Sequence, residues 1–230
     1  MSLAVRSTAE EAMDAPDLAE ADYRAVLADL ATVNTVTMAR RPTLDFLARA
    51  VGTRKRFRLL DVGYGEGDML RAIARWAAKR GIVADLVGID LNPNSAAAAR
   101  AATPANMTID YRTGDYADLA GGGFDIVASS LVAHHMTAPQ LRAFLRFMEA
   151  EAAAGWIVND LHRHAFAHAG YPLLATLLRW HPIVRADGRL SIARAFRPAE
   201  WHAILADAGI GPAAKVVRRF PFRLCVERLR

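Results

Sequence analysis

A short apolar strand runs directly into a turn with three alternating glycines, and this junction constrains the fold more than any other segment. Residues 57–62 are mostly apolar, and Gly63, Gly65 and Gly67 follow them. Glycine lets the backbone of such a turn approach a ligand, because no Cβ stands in the way, and the helix that follows presents free N–H groups. The spacing G-x-G-x-G after the acidic Asp61 differs from the G-x-G-x-x-G of dinucleotide sites and suits a ligand with a positive charge.

Strand and helix patterns then alternate as far as residue 160, which predicts an α/β architecture. The predicted strands are 57–62, 83–90, 107–112, 124–129 and 156–160, and the predicted helices are 67–80, 94–102 and 139–154. Such alternation indicates a parallel sheet with helices on both faces. Residues 163–190 then indicate a helix with irregular chain, and a helix at 197–208 and a hairpin of 215–220 and 223–229 follow. We therefore expect a Rossmann-like, doubly wound, mostly parallel seven-stranded sheet whose last strand is antiparallel.

The region before this alternation predicts a separate helical unit. Residues 1–16 indicate an irregular start that ends at Pro16. The apolar spacing over 17–51 then predicts two helices. We expect an N-terminal helical lid over 1–52 and a ligand-binding domain over 53–230.

The composition excludes several classes of protein. The chain has 230 residues, of which 53% are hydrophobic, and this is enough for one domain with a full core. No run approaches the ~20 apolar residues of a membrane-spanning helix, and the N-terminus has no apolar signal core. The single cysteine, Cys225, allows no intrachain disulfide. We therefore expect a cytoplasmic protein.

The net charge of +5 raises the question of nucleic-acid binding. Basic residues cluster at 54–58 and again near the C-terminus, as Arg218, Arg219, Arg223, Arg228 and Arg230. No basic motif interleaved with aromatic residues accompanies this charge. We interpret both clusters as solvated surface and expect no nucleic-acid partner.

Acidic residues also follow the second and third predicted strands. Asp90 ends the second strand, where a carboxylate can accept both hydroxyls of a ribose. Its alternative role is to cap the next helix, although Asn92 is better placed for that. In Gly114-Asp115-Tyr116, the acid can accept from the amino group of an adenine while the tyrosine packs on the ring, but the same sequence is a common turn.

Four motifs in this order resemble a known family. They are DVGYGEGD at 61–68, GIDLNP at 88–93, GDY at 114–116 and FDIVASSLVAHHM at 124–136. Together they are similar to the class I S-adenosylmethionine-dependent methyltransferases, especially the ubiquinone and menaquinone biosynthesis branch. The resemblance covers residues 57 to 160 well and the final hairpin loosely, and it implies S-adenosyl-L-methionine as the cofactor.

The resemblance implies a role for each residue that matches a motif. Asp61, Gly63, Gly65 and Gly67 would cradle the methionine part of the cofactor, Asp90 would hold the ribose, Leu91 would flank the adenine, Asp115 and Tyr116 would contact the adenine, and Ser129 and Ser130 would lie near the amino-acid end. Tyr64 departs from the family, which often has a small residue there, and would narrow the pocket. In the predicted lid, Arg40 is assigned to the cofactor site, and Tyr23 and Asn34 are further candidate polar contacts.

Candidate bases lie after the fourth and fifth predicted strands. Methyl transfer requires the protein to align the reacting atoms and to exclude water, and a hydroxyl acceptor gains from a base that takes its proton. The catalytic candidates are His134, His135, His162 and His164, with Asp160 available for an Asp–His pair across the gap between the two strand ends. The alternative for His135 is a structural role in capping or orienting its loop.

A metal site is the competing interpretation of His162-x-His164-x-x-x-His168, because histidines bind zinc at such spacings. No cysteine lies nearby to complete the usual structural zinc site. Asn159 and Asp160 would offer an amide and a carboxylate to a divalent ion. We expect no metal.

Aromatic residues concentrate in a segment at about 163–196, which in similar methyltransferases covers the acceptor. They are Phe166, Tyr171, Trp180 and Phe196. A helical core explains most of them, and an apolar pocket needs only a few. The sequence therefore predicts an enzyme of secondary metabolism that methylates an oxygen of an apolar aromatic small molecule, such as a phenol, polyketide or quinone precursor.

Three alternatives to this function remain open. They are C-methylation of an electron-rich ring, a methyltransferase-fold protein that binds without catalysis, and methylation of RNA. The basic charge favours RNA, which would bind in a salt-dependent way, but no appended RNA-binding module is present. The oligomeric state is also open, and a homodimer is compatible with the sequence.

Overall fold

The computed structural model describes residues 3–15 and 17–230, and Pro16, the predicted end of the irregular start, lies outside the described residues. The helices are α1 (Glu20–Val36), α2 (Arg41–Val51), α3 (Asp68–Ala78), α4 (Pro93–Ala102), α5 (Ala138–Glu151), α6 (Ala165–Leu177), α7 (Pro182–Arg194) and α8 (Pro198–Asp207). The strands are β1 (Arg56–Val62), β2 (Val83–Asp90), β3 (Asp110–Thr113), β4 (Ile126–Ser130), β5 (Gly155–Leu161), β6 (Lys215–Arg219) and β7 (Arg223–Leu229).

Seven strands form one sheet in the order β3-β2-β1-β4-β5-β7-β6. Strands β1 to β5 are all parallel to one another, whereas β7 is antiparallel to β5 and to β6. The strand order reverses direction between β1 and β4, and open α/β sheets bind ligands beside the carboxyl ends of strands at such a point. The predicted Rossmann-like fold with an antiparallel last strand is confirmed.

Hydrophobic side chains cover both faces of this sheet, as buried parallel strands require. One face packs against α5 and α8, with Phe144 and Trp201 fully buried. The other face packs against α2 and α3, with Phe46 and Ile73 fully buried. These two layers hold the strands in place, so the loops at the strand ends project from a close-packed base.

The helix α1 lies beside α6 and α7 rather than on the sheet. Val26 and Val33 pack there against Ala175, Trp180 and Val184. The helix α2, in contrast, contacts β5 and β7. The division of the chain at residue 52 and the lid over 1–52 stay predictions. Within the described ranges, no helix is long and apolar enough to cross a membrane.

Two segments differ from the sequence prediction. The third strand is shorter than 107–112, and residues 163–190 form two complete helices instead of helix and irregular chain. The sequence pattern does not predict all of α7, because Gly188 lies within this helix and glycine is a poor helix former. A Cβ at this position would lie 2.2 Å from the ring of Tyr171. The glycine therefore admits a ring from α6 and does not end the helix.

Candidate active site

The turn after β1 is held by contacts with β2. The backbone N of Gly63 donates to the carbonyl of Ile89 at 2.8 Å, and the N of Gly65 donates to the carboxylate of Asp90 at 2.9 Å. The φ angles of the two glycines are +75° and +55°, a region that other residues enter only with strain. A Cβ at Gly63 would lie 2.3 Å from Val132, whereas one at Gly65 would meet nothing nearer than 3.6 Å. Gly65 is therefore the less crowded of the two glycines, with Leu27 of α1 at ordinary contact distance from its Cβ position.

Tyr64 packs largely into the core beneath the turn. Its ring centroid lies 5.0 Å from that of Tyr111, and its side chain is buried. A Cβ at Gly88 would lie 2.6 Å from the Tyr64 ring, and a Cβ at Gly67 would lie 2.5 Å from the Tyr111 hydroxyl. Two glycines thus make room for two tyrosines, which is how the fold accommodates a large residue where the family often has a small one.

Two carboxylates border the turn. Asp61 is 1% exposed, and neither of its carboxylate oxygens has a partner in the described part of the chain. Burial, followed by the charges of Asp68 and Asp90, raises the pKa of Asp61 well above its ordinary value. Burial also raises the pKa of Asp90, although bonds from the N–H groups of Asn92 and Gly65 oppose this. A cationic hydrogen-bond donor at the turn would satisfy Asp61.

A cavity of about 720 Å³ opens at the carboxyl ends of the strands. Its volume is typical of small-molecule sites, and α1, α6 and α7 supply the walls opposite the sheet. The residues predicted from the sequence that line it are Asp61, Gly63, Tyr64, Gly65, Asp90, Leu91, Tyr116, Ser130, His134 and His135, together with Tyr23, Asn34, Phe166 and Tyr171.

Four residues assigned to the cofactor from the sequence do not line this cavity. Gly67 faces the ring of Tyr111, and the side chains of the other three have partners within the protein. The buried hydroxyl of Ser129 donates to a carbonyl of β1 at 3.0 Å. Asp115 is exposed and accepts from the backbone N two residues further on at 2.9 Å. Arg40 donates from Nε to Asp68 at 2.8 Å and from Nη2 to a carbonyl of α1 at 2.9 Å. These contacts are structural, and a role toward the cofactor stays a prediction.

The Asp–His pair expected across the gap between two strand ends joins His134, after β4, to Asp160, in β5. Nδ1 of His134 lies 2.7 Å from Oδ1 of Asp160, and the backbone N of His134 donates to Oδ2 at 2.9 Å. Burial lowers the pKa of His134, but Asp160 and Glu11 outweigh it and raise this pKa to about 9. Burial raises the pKa of Asp160, but His134 outweighs it and lowers that pKa. The two side chains therefore form a buried ion pair at neutral pH.

His135 forms a second acid–histidine pair that borders the cavity. Its Nδ1 lies 2.9 Å from Oδ2 of Asp14, and its side chain is 27% exposed. The carboxylate of Glu11 lies 3.8 Å from Nε2 of His135 and 3.6 Å from Nε2 of His134. A proton on Nδ1 of His135 leaves Nε2 with a free lone pair. Glu11 and the two histidines place their ligand atoms within 4.8 Å of one another, so a metal ion is the competing occupant.

The sequence prediction missed Glu11 and Asp14. Their segment lacks the apolar periodicity that predicts an element, and the only signal was a pair of acids in a stretch of small residues. In the structure, the carboxylate of Asp187 accepts from the backbone N of Ala12 at 3.0 Å and of Met13 at 2.9 Å. This contact with α7 anchors the short 3-10 turn that brings both acids to the histidines.

His162, His164 and His168, the histidines of the alternative metal motif, do not line the cavity. The ring centroids of His162 and His164 are 5.4 Å apart. Nδ1 of His164 accepts from the backbone N of Phe166 at 3.3 Å, at the start of α6. Nε2 of His168 accepts from Arg189 at 3.2 Å. These partners are structural, and a catalytic role of His162 or His164 stays a prediction.

The four aromatic residues of the predicted acceptor segment fall into two groups. Phe166 and Tyr171 line the cavity. Trp180 is buried between the helices, and Phe196 packs with its ring centroid 5.0 Å from that of Trp201. A helical core therefore accounts for half of the set.

Comparison with known proteins places this fold and site in a class. Residues 59–154 match the family model described as a methyltransferase domain. The fold is similar to the plantazolicin methyltransferase BpumL in complex with a pentazolic desmethylPZN analog and SAH, with a TM-score of 0.65, 13% identity and 91% of both chains covered. It is also similar to magnesium protoporphyrin IX methyltransferase from Synechocystis PCC 6803 with bound SAH, with a TM-score of 0.56, 19% identity, and coverage of 84% of this chain and 83% of that chain. Residues 59–154 therefore form a methyltransferase domain, and the chain is similar to the class I S-adenosylmethionine-dependent methyltransferases.

Within this class, the chain is similar to ubiquinone biosynthesis O-methyltransferases. The relative from Cereibacter sphaeroides (strain ATCC 17025 / ATH 2.4.3) is 31% identical over 160 residues, which cover 67% of this chain and 60% of the relative. The relative from Azorhizobium caulinodans is 34% identical over 115 residues, which cover 49% of this chain and 40% of the relative. The matched region thus spans at most 60% of the length of these relatives. The resemblance that the four sequence motifs indicated, to methyltransferases of ubiquinone biosynthesis, is therefore confirmed.

Proposed function

We propose that this chain transfers a methyl group from S-adenosylmethionine to a hydroxyl of an apolar aromatic small molecule, with His135 as the proton acceptor. One observation carries the proposal: the glycine turn with its unpartnered Asp61 and the His135–Asp14 pair border the same cavity. A site for the methyl donor and a group that accepts the proton are what O-methylation needs from a protein.

The residues at the turn fit the cofactor. Asp61 offers two unpartnered oxygens to an ammonium group, and Gly65 presents the backbone of the turn to the cavity. Asp90 would accept from the ribose hydroxyls, and Leu91 and Tyr116 would border the adenine, since all three line the cavity. When bound, the cofactor supplies a methyl group that its sulfonium has already activated.

The rest of the cavity fits an apolar, conjugated acceptor. Its wall includes Val26, Leu30, Val36, Phe166, Tyr171 and Leu174. The relatives named above for ubiquinone biosynthesis and for magnesium protoporphyrin IX support a ring compound of this kind. Apolar walls also exclude water from the reacting atoms.

The acid–histidine pairs would perform different tasks in this reaction. The bound cofactor would supply its methyl group to the acceptor oxygen, and Nε2 of His135 would accept the proton that this oxygen loses. Asp14 binds the opposite ring nitrogen and so fixes the tautomer that can accept this proton. His134 is already protonated between Asp160 and Glu11, so it positions the loop.

Replacement of His135 by glutamine tests this proposal. Without the proton acceptor, we expect turnover to fall by roughly 100-fold or more, while the affinity for S-adenosylhomocysteine stays that of the wild type because the glycine turn is untouched. Turnover is measured with labelled S-adenosylmethionine and a panel of phenols and hydroquinones, and affinity by calorimetry. His202 is exposed on α8, and H202Q is the matched control that should keep wild-type turnover.

Four outcomes would contradict the proposal in different ways. Unchanged turnover in H135Q would mean that another group, or none, takes the proton. A product methylated on a ring carbon would favour C-methylation. Loss of turnover on chelation, restored by zinc, would make the cluster of Glu11, His134 and His135 a metal centre. Cofactor binding without transfer to any acceptor would favour a binding protein.

A further inference from the structure

Arg223 is a buried cation in the cavity wall, and the described part of the chain offers it no partner. Its side chain is 2% exposed, and its Nη1 is buried with no hydrogen-bond acceptor. Within residues 3–15 and 17–230, its guanidinium forms no hydrogen bond or ion pair. The prediction that it belongs to a solvated basic surface is wrong, because β7 lies between β5 and β6 inside the sheet.

Other buried arginines of this chain are paired. Arg163, also 2% exposed, donates to Glu200 at 2.6 Å and to a backbone carbonyl at 2.9 Å. Arg194, which is 7% exposed, donates to three backbone carbonyls, one of them at 2.9 Å. Buried charges are normally satisfied in this way, because an unpaired one is costly. Arg223 is therefore an exception that indicates a partner outside the chain.

The two carboxylates whose charges act on Arg223 already have partners of their own. Asp160 and Asp68 are the carboxylates that act on the Arg223 guanidinium. Asp160 is bound by His134 at 2.7 Å, and Asp68 is bound by Arg40 at 2.8 Å. A guanidinium remains protonated in proteins, so the charge of Arg223 stays available to an anion in the cavity.

The position of Arg223 in the sheet places this charge away from the cofactor residues. Arg223 begins β7 and lies opposite Leu161 at the end of β5, and both residues line the cavity. Asp61 lies in β1, three strands away, and Asp90 ends β2, four strands away. At the usual spacing of neighbouring strands, these separations are roughly 14 and 19 Å. The part of the cavity beside Arg223 is therefore the part left for the acceptor.

We propose that Arg223 binds a carboxylate of the acceptor, so that the methyl-accepting molecule is an aromatic hydroxy acid and not a neutral phenol. This inference rests on the proposed function. A guanidinium presents parallel N–H donors that match the two oxygens of a carboxylate. The surrounding apolar wall strengthens such a pair because it excludes water.

A matched pair of probes, 3,4-dihydroxybenzoate and catechol, tests this proposal because the two differ only in the carboxylate. Calorimetry with saturating S-adenosylhomocysteine should show the wild type binding the acid about tenfold or more tightly. R223M should lose this preference, and R223K should retain part of it. Equal binding of the two probes by the wild type, no binding of the acid, or a preference that survives in R223M would overturn the proposal.

A second measurement decides whether the anion belongs to the acceptor or to the cofactor. R223M should bind S-adenosylhomocysteine and 5′-methylthioadenosine, which lacks the amino-acid part, as tightly as the wild type does. Weaker binding of S-adenosylhomocysteine alone would assign the carboxylate to the cofactor and overturn the proposal.

Thermal unfolding checks that Arg223 has no partner within the protein. R223M should melt no lower than the wild type, because no bond of the free protein is lost. R163M, which loses a paired buried arginine, should melt several degrees lower. A fall of the same size in R223M would overturn the proposal.

The binding results separate this inference from the proposed function. A preference for the acid without any methyl transfer would leave the Arg223 site standing and contradict the proposed function. Methyl transfer to catechol without a preference for the acid would support the proposed function and contradict the Arg223 site.

Discussion

His134 and His135 are neighbours in the sequence but lie in different surroundings. His134 is 2% exposed and is bound by Asp160 on one ring nitrogen, with Glu11 near the other. His135 is 27% exposed and is bound by Asp14. The buried histidine is therefore held in its charged form, whereas its neighbour borders the cavity and has Glu11 3.8 Å from its second ring nitrogen. The same residue type thus takes two roles because of its partners.

The buried pair should make stability depend on pH. The pKa of His134 is raised from 6.5 to about 9 in the folded protein, so its contribution is fully present below the unfolded value and is lost as the pH rises through the folded value. We expect the wild type to exceed H134N in free energy of unfolding by roughly 2–3 kcal/mol at pH 6. The difference should shrink by pH 10. Urea denaturation at both pH values measures it, and a difference that does not change with pH would contradict the assignment.

The site residues that could be predicted from the sequence are those placed by a local motif. Asp61 is the last residue but one of β1 and Asp90 ends β2, so their positions follow from the strands themselves. Glu11 and Arg223 could not be predicted in the same way. Glu11 meets histidines more than a hundred residues further along the chain, and the burial of Arg223 depends on where β7 enters the sheet.

At the scale of elements, the contact between α6 and α7 shapes one wall of the cavity. The hydroxyl of Tyr171, in α6, donates to the carbonyl of Val184 in α7 at 2.8 Å. The ring of Tyr171 lies over Gly188, where a Cβ would come within 2.2 Å. The close approach of the two helices therefore depends on the missing side chain.

Alanine at position 188 should destabilise the protein even though alanine favours helix. The new methyl group would displace the Tyr171 ring, and we expect G188A to lower the free energy of unfolding by roughly 1–3 kcal/mol. Gly170, in α6, has nothing within 4 Å of its Cβ position. G170A is the matched control and should stabilise the helix by about 0.5–1 kcal/mol. Chemical denaturation of both variants compares them, and equal effects would contradict this account of the contact.

The elements show the same limit of sequence-based prediction. The second strand is predicted at its observed bounds, Val83–Asp90, because its apolar pattern ends at an acid and a proline. The helix α7 is missed because the reason for Gly188 lies in another helix. A local pattern therefore predicts an element when the residues that mark its bounds lie within it or beside it. Tertiary contacts determine an element such as α7, whose glycine is explained by a side chain of another helix.

At the scale of the whole molecule, the cavity joins parts of the chain that are far apart in sequence. The glycine turn after β1, the 3-10 turn at Glu11, the helices α6 and α7 and the start of β7 all border it. The alternation of strands and helices was enough to predict the sheet and the end of it at which the cavity opens. The wall opposite the sheet could be predicted only in part, because the turn at Glu11 and the start of β7 reach the cavity through tertiary contacts that no local pattern shows.

A crystal structure with S-adenosylhomocysteine bound would show whether the glycine turn after β1 is the cofactor site. We predict the ribose hydroxyls within hydrogen-bond distance of Asp90 and the ammonium group beside Asp61, with the methionine part in front of Gly65. The sulfur should face the part of the cavity that His135 borders. Binding of the molecule at another place, or no binding at millimolar concentration, would contradict the account.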